Sequence, residues 1–214
     1  MPAKPKPRPP RWQRRRDARP DELVAAAVEL FSAHGYAATR LEDVAARAGV
    51  SKGTLYLYFE NKLELFKAVV RRALLPNLEQ AEALAAAYPG SRRDLLTHLL
   101  RGIAQVIASS SVSGIPKLVI SEAGNFPEVA EFYYREVVLR ARALLERILE
   151  DGARRGEFRR LEPALVWRLV MAPLVLGVIW KHSFRPFESA PLDFDRYVQT
   201  HLDVLFNGLA ETAP

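Results

Sequence analysis

At 214 residues, 49% of them apolar and 26% charged, the chain is long enough to bury a sizeable core and too apolar to be disordered. It has no cysteine, which excludes disulfides and thiolate metal sites. The net charge is +6, and the basic excess is concentrated in residues 1–20, where Lys4, Lys6, Arg8, Arg11, Arg14, Arg15, Arg16 and Arg19 face the single acid Asp17. Residues 21–214 are therefore close to neutral. The same stretch holds Pro2, Pro5, Pro7, Pro9, Pro10 and Pro20, which predicts a basic arm that is not helical for most of its length. Such an arm is either a solvated tail or a segment that lies along a polyanion. No apolar run follows the charges, so a signal peptide is not expected.

The remainder reads as helix, with no strand signal. The first helix is expected to start at Pro20, with Asp21 and Glu22 in its first turn, and to stop at Gly35. Leu23, Ala26, Ala27, Leu30 and Phe31 form its apolar face. Thr39 and Glu42 have the Thr-x-x-Glu spacing of a capping box for a second helix, with Leu41, Val44, Ala45 and Ala48 facing inward. Gly49 ends it. Ser51 is a good N-cap for a third helix only two residues later, and Asn61 with Glu64 opens a fourth, about 62–85, in which Pro76 predicts a kink.

Two short helices joined by a tight glycine-bearing turn are a helix-turn-helix. In "GVSKGTLYLYF", residues 49–59, Leu55 and Phe59 lie four apart and must point inward. Lys52, Gly53, Thr54, Tyr56 and Tyr58 are left outside. Lysine and hydroxyls there suit phosphates and base edges, the rings suit sugars and thymine methyls, and the glycine permits close backbone approach.

The run "ELFSAHGYAATRLEDVAARAGVSKGTLYLYFENKLEL" closely resembles the DNA-binding domain of TetR-family transcriptional regulators, over roughly residues 20–68. The resemblance implies a nine-helix, all-α architecture. A basic arm (1–19) would precede a helix-turn-helix DNA-binding domain (20–66) and a larger ligand-sensing and dimerisation domain (67–214). It implies phosphate contacts from Thr39 and Arg40 at the start of the second helix and from Lys62 at the fourth. Operator contacts would come from Ser51, Lys52, Gly53, Thr54, Tyr56 and Tyr58. Arg14, Arg15, Arg16 and Arg19 would reach a minor groove. Tyr58 stands where the family often has histidine. A cytoplasmic homodimer on double-stranded operator DNA, released by a small ligand, is the expected function.

Beyond residue 75 the helices are read from the residues alone: about 92–110, 115–124, a long one from Pro127 ending at Gly152 or Gly156, 163–183 and 193–209. Residues 164–180 are apolar on every side, as in a membrane span or a buried helix. Their length of about seventeen residues, with Arg168 and Pro173 inside, favours burial, one face on the chain's own core and another on a second subunit. Leu192, Phe194, Tyr197, Val198, Leu202, Leu205, Phe206 and Leu209 of the last helix likewise exceed one inner face. Together these helices predict a four-helix interface about a two-fold axis. Two recognition helices must also enter major grooves about 34–36 Å apart, which a dimer provides.

His34, His98, His182 and His201 show no metal spacing, and no nucleophile or nucleotide-binding motif appears. No catalysis, metal or cofactor is expected. Phe126, Phe132, Tyr133, Trp167, Met171 and Trp180 are the candidate lining of a cavity for a small apolar or aromatic effector.

Overall fold

The computed structural model describes residues 11–190 and 192–209, with side chains from residue 20 to 190 and from 192 to 208. Every regular element among them is helical: α1 (Arg11–Ala38), α2 (Leu41–Arg47), α3 (Lys52–Tyr56), α4 (Lys62–Val69), α5 (Leu75–Ala87), α6 (Arg92–Ser109), α7 (Gly114–Glu122), α8 (Pro127–Tyr133), α9 (Leu139–Arg154), α10 (Pro163–Ser183) and α11 (Phe194–Leu209). A π-helical turn at Val70–Leu74 runs directly into α5, and another at Tyr134–Val138 joins α8 to α9. Counted as interruptions within longer helices, these two turns reduce the described elements to the nine expected. The first lies just ahead of Pro76, whose ring cannot accept the carbonyl of Arg72 behind it and which has no N–H to offer. A wider turn absorbs that conflict.

The expected helix start at Pro20 is corrected. The backbone is helical from Arg11, and Pro20 lies inside α1. Arg11 to Arg19 contains no proline, and its arginines, Gln13 and Ala18 are strong helix formers. Pro20 therefore costs the helix one hydrogen bond without stopping it. The backbone of Arg14, Arg15, Arg16 and Arg19 thus belongs to a helix and not to an extended arm. Lys4, Lys6 and Arg8 lie outside the described residues.

The chain divides into two compact units between Val69 and Val70. In the first, α4 packs on α1, α1 on α2, and α2 on α3. Leu23, Ala27, Phe31, Leu55, Leu65 and Phe66 are almost wholly buried. Phe31, Tyr36 and Phe66 form a ring triad with centroids 5.6–6.2 Å apart, two of the three contacts edge-on.

In the second unit α6, α9, α10 and α11 share a core that includes Leu95, Leu96, Leu100, Ile148, Val170, Leu174 and Phe206. Several of its polar fastenings are at helix ends. Ser91 accepts the N–H of Asp94, and the Glu157 carboxylate accepts those of Arg92 (2.5 Å) and Arg93 (3.1 Å), so the start of α6 is satisfied. Arg92 also meets Asp151 at 2.5 Å, which fastens α6 to α9. At the other end of α6, the Lys181 ammonium donates to the carbonyls of Ile107 and Ala108. A two-point Arg140–Glu82 pair (2.7 and 3.1 Å) links α9 to α5.

Gly152 does not end α9. The helix runs through it to Arg154, and the left-handed residue that turns the chain is Gly156 (φ 71°).

Candidate nucleic-acid interface

The turn between α2 and α3 is built from its backbone bonds. Ala48 donates to Val44 (2.9 Å), Gly49 to Ala46 (3.1 Å) and Val50 to Ala45 (2.9 Å). This closure requires Gly49 at φ 67°, a conformation that a side chain would disfavour. Ser51 then caps α3: its Oγ accepts the N–H of Thr54 at 3.1 Å and pairs with the Thr54 hydroxyl at 2.9 Å. Leu55 is completely buried and Phe59 nearly so. They anchor the five-residue α3 against the unit's core. The opposite side is left exposed, with Tyr56 at 44% and Tyr58 at 36%.

Gly53 has an ordinary φ, and a Cβ built there would meet only Ser51 Oγ at 3.9 Å. Nothing inside the protein demands a glycine at this position. Glycine there leaves the backbone open to a close approach from outside. Lys52 meets Glu42 at 2.6 Å across the turn, and its ammonium lies 5.8 Å from the centroid of Tyr56. The hydrogen bond from Lys52 holds the Glu42 carboxyl below its usual pKa, and the same bond raises that of Lys52. Both groups are solvent-exposed, so the pair contributes little to the stability of the unit.

Two of the expected phosphate ligands have other work. Thr39 is buried, and its hydroxyl donates back to the carbonyls of Gly35 (2.7 Å) and Leu30 (3.2 Å). The capping box with Glu42 does not form, and the N-cap of α2 is Arg40, with no side-chain hydrogen bond. Lys62 turns inward as well. Its ammonium donates to the carbonyls of Tyr36 (2.7 Å), Ala37 (3.0 Å) and Thr39 (3.1 Å), and sits 4.6 Å from the Tyr36 ring centroid. The cause is Gly35, whose φ of 81° and ψ of 172° break the helical path. The carbonyls beyond that break lose their intrahelical donors, and Thr39 and Lys62 supply replacements. Arg40 is exposed. Leu57, which the sequence reading did not count as a contact, is 83% exposed at the tip of α3. Its position between two tyrosines was the available signal.

The six candidate ligand residues do not form one cluster. Trp167 and Met171 pack against the core shared by α6, α9, α10 and α11. The indole nitrogen of Trp167 is buried without a hydrogen-bond partner, and the Arg168 guanidinium lies 4.8 Å from its ring centroid. Trp180 is turned outward. It donates to Glu188 at 2.6 Å and lines an open cleft of about 420 Å³ with Lys181, Arg185 and Phe194. Phe132 carries the Arg71 guanidinium 5.2 Å from its ring centroid. Phe126 is the N-cap of α8, and Tyr133 ends that helix.

A model of bacterial regulatory proteins of the tetR family matches residues 23–69, and one of tetracyclin repressor-like C-terminal domains matches residues 89–193. The chain belongs to the TetR family and is a DNA-binding transcriptional regulator of the helix-turn-helix type. The transcriptional activator FasR of Mycolicibacterium smegmatis is 49% identical over 57 residues, 27% of this chain and 26% of that protein. The transcriptional repressor KstR2 of Rhodococcus jostii is 26% identical over 197 residues, covering 91% of this chain and 93% of that one. The solved structure of the fatty acid degradation regulator FadR from Bacillus halodurans superposes with a TM-score of 0.74 at 21% identity, covering 97% of this chain and 100% of that chain.

Proposed function

We propose that the chain works as a cytoplasmic homodimeric repressor that holds operator DNA through α3 and releases it when a small apolar or aromatic ligand occupies the α5–α11 unit. The observation that carries the DNA-binding half is the exposed set Lys52, Tyr56 and Tyr58, with the half-buried Thr54 beside them, around the inward anchors Leu55 and Phe59. Ser51 and Gly53 shape the start of that helix, and Arg40 adds a phosphate contact at the start of α2. Arg14, Arg15, Arg16 and Arg19 supply sequence-independent, salt-sensitive affinity. This reading assigns no catalytic step. It takes Thr39 and Lys62 out of the DNA-contacting set.

Changing Tyr56→Ala removes a half-exposed ring. It is expected to weaken binding to the protein's own upstream DNA by about 1–3 kcal/mol while the melting temperature stays within a degree or two. Fluorescence anisotropy with a labelled duplex, beside a thermal melt, checks this. A large drop in melting temperature with a proportional loss of binding would make Tyr56 a core residue.

Dimerisation is supported by an unburied apolar stripe. Leu165, Leu169, Ala172, Leu176 and Trp180 recur on one face of α10 at helical spacing, and all are exposed within one chain. Val204 of α11 is 66% exposed. Helix α10 is long and apolar enough to cross a membrane, with 28% of its most apolar window buried within the chain. Its buried face belongs to the core of the second unit. A second copy is the occupant that the two-fold geometry of operator DNA requires for the other face. Leu169→Glu is expected to convert the dimer to a monomer in sedimentation equilibrium with the helical circular dichroism retained. A dimer that survives this change places the interface elsewhere.

A further inference from the structure

The helical path of α3 continues one residue past Tyr56. Leu57 has φ −69° and ψ −23°, and its N–H donates to the carbonyl of Gly53 at 3.3 Å. Successive residues on such a path turn by about 100°. The buried anchors Leu55 and Phe59 define the inward direction. Leu57 points opposite to their midpoint, with Gly53 one turn behind it, and Tyr56 and Tyr58 lie about 100° to either side. The outermost ridge of the helix is therefore Gly53–Leu57. The exposures agree, because Leu57 is far more exposed than either tyrosine.

At 83% exposure Leu57 gives the unit almost no packing. One exposed leucine is ordinary on a protein surface. This one completes a run of three exposed apolar or aromatic side chains, Tyr56, Leu57 and Tyr58, at the foremost point of the helix assigned to DNA. The base edges in a major groove present donors and acceptors, and the single apolar group among them is the 5-methyl of thymine. Leucine pressed against a donor or acceptor would leave it desolvated and unpaired. Against the methyl, both surfaces gain. Leucine is also shorter than lysine or tyrosine, so its helix must come close to the bases. The bare backbone at Gly53, where a Cβ would meet only Ser51 Oγ at 3.9 Å, permits that approach.

We propose that Leu57 reads the 5-methyl group of a thymine in each operator half-site. This rests on the assignment of α3 to DNA above and adds the feature of the base that is read. The test uses the full-length protein and a duplex that it selects from a random-sequence pool. Each thymine is replaced in turn by deoxyuridine, which pairs identically and lacks only the methyl. Anisotropy titration of the wild type is expected to show a loss of about fourfold at one thymine in each half-site. Leu57→Ala is expected to bind the unmodified duplex at least about fourfold more weakly, to show no uracil penalty at that position, and to melt within a degree or two of the wild type. Tyr56→Ala binds every duplex more weakly but is expected to keep the penalty there. A Leu57→Ala protein that retains the wild-type penalty at every thymine overturns the proposal, and so does a wild type with no penalty anywhere or a pool that yields no preferred sequence. If Leu57→Ala and Tyr56→Ala both bind the unmodified duplex as the wild type does, the assignment of α3 itself fails, and the proposal with it.

Discussion

Replacing Lys62 by methionine is expected to destabilise the DNA-binding unit by about 2–4 kcal/mol, because the ammonium makes three charge-assisted bonds to the carbonyls of Tyr36, Ala37 and Thr39. Methionine keeps the length and apolar volume of the side chain but donates nothing. Three carbonyls beyond the break at Gly35 would have to turn to water, and the Tyr36 ring would lose its cation, 4.6 Å away. Operator affinity, measured well below the melting temperature, should fall only slightly. Hydrogen exchange across residues 23–66 together with anisotropy titration separates this from a phosphate clamp. A clamp predicts unchanged exchange and about a tenfold loss of DNA binding.

Gly152→Ala is expected to cost the second unit about 3 kcal/mol. A Cβ at Gly152 would lie 2.2, 2.5 and 3.1 Å from three ring carbons of Phe158. That ring is 3% exposed and stacks on Phe206 with centroids 6.4 Å apart, and Phe206 in turn lies under the Arg93 guanidinium. To relieve the overlap the ring would have to leave its stack on Phe206. Helix propensity favours alanine by roughly 1 kcal/mol and does not offset this overlap. Gly102→Ala in α6 is the control: its Cβ meets nothing within 4 Å, so the propensity gain should appear alone, as a rise of up to about 1 kcal/mol. Urea denaturation of the full-length variants checks both. Stabilisation by Gly152→Ala comparable to that of Gly102→Ala would show that Phe158 does not pack over this glycine.

These two residues also mark the limit of what a sequence conveys. Gly152 and Gly156 are equivalent as helix terminators when read along the chain. Gly156 turns the backbone, whereas Gly152 makes room for a ring six residues further on. Lys62 resembles a surface cation at a helix start, and only the fold shows that the carbonyls past Gly35 arrive beside it. Thr39 has the spacing of a cap, yet its hydroxyl is closer to the carbonyls behind it. Pro20 looks like a helix start because proline is tolerated there, but the helix formers before it continue the helix through that position.

Local signals were sufficient where the determining contacts are local. The Ser51 and Asn61 caps, the Gly49 turn, the Leu55–Phe59 anchor and the helical periodicity all act within about four residues. They determined the all-α architecture and which side of α3 faces outward. Tertiary structure decided matters that depend on partners far along the chain: the inward commitment of Lys62 and Thr39 and the outward turn of Trp180. A side chain's periodicity states only which face of its helix it occupies. What that face meets, whether carbonyl, ring or solvent, is fixed when distant helices pack, and no spacing within one helix encodes it.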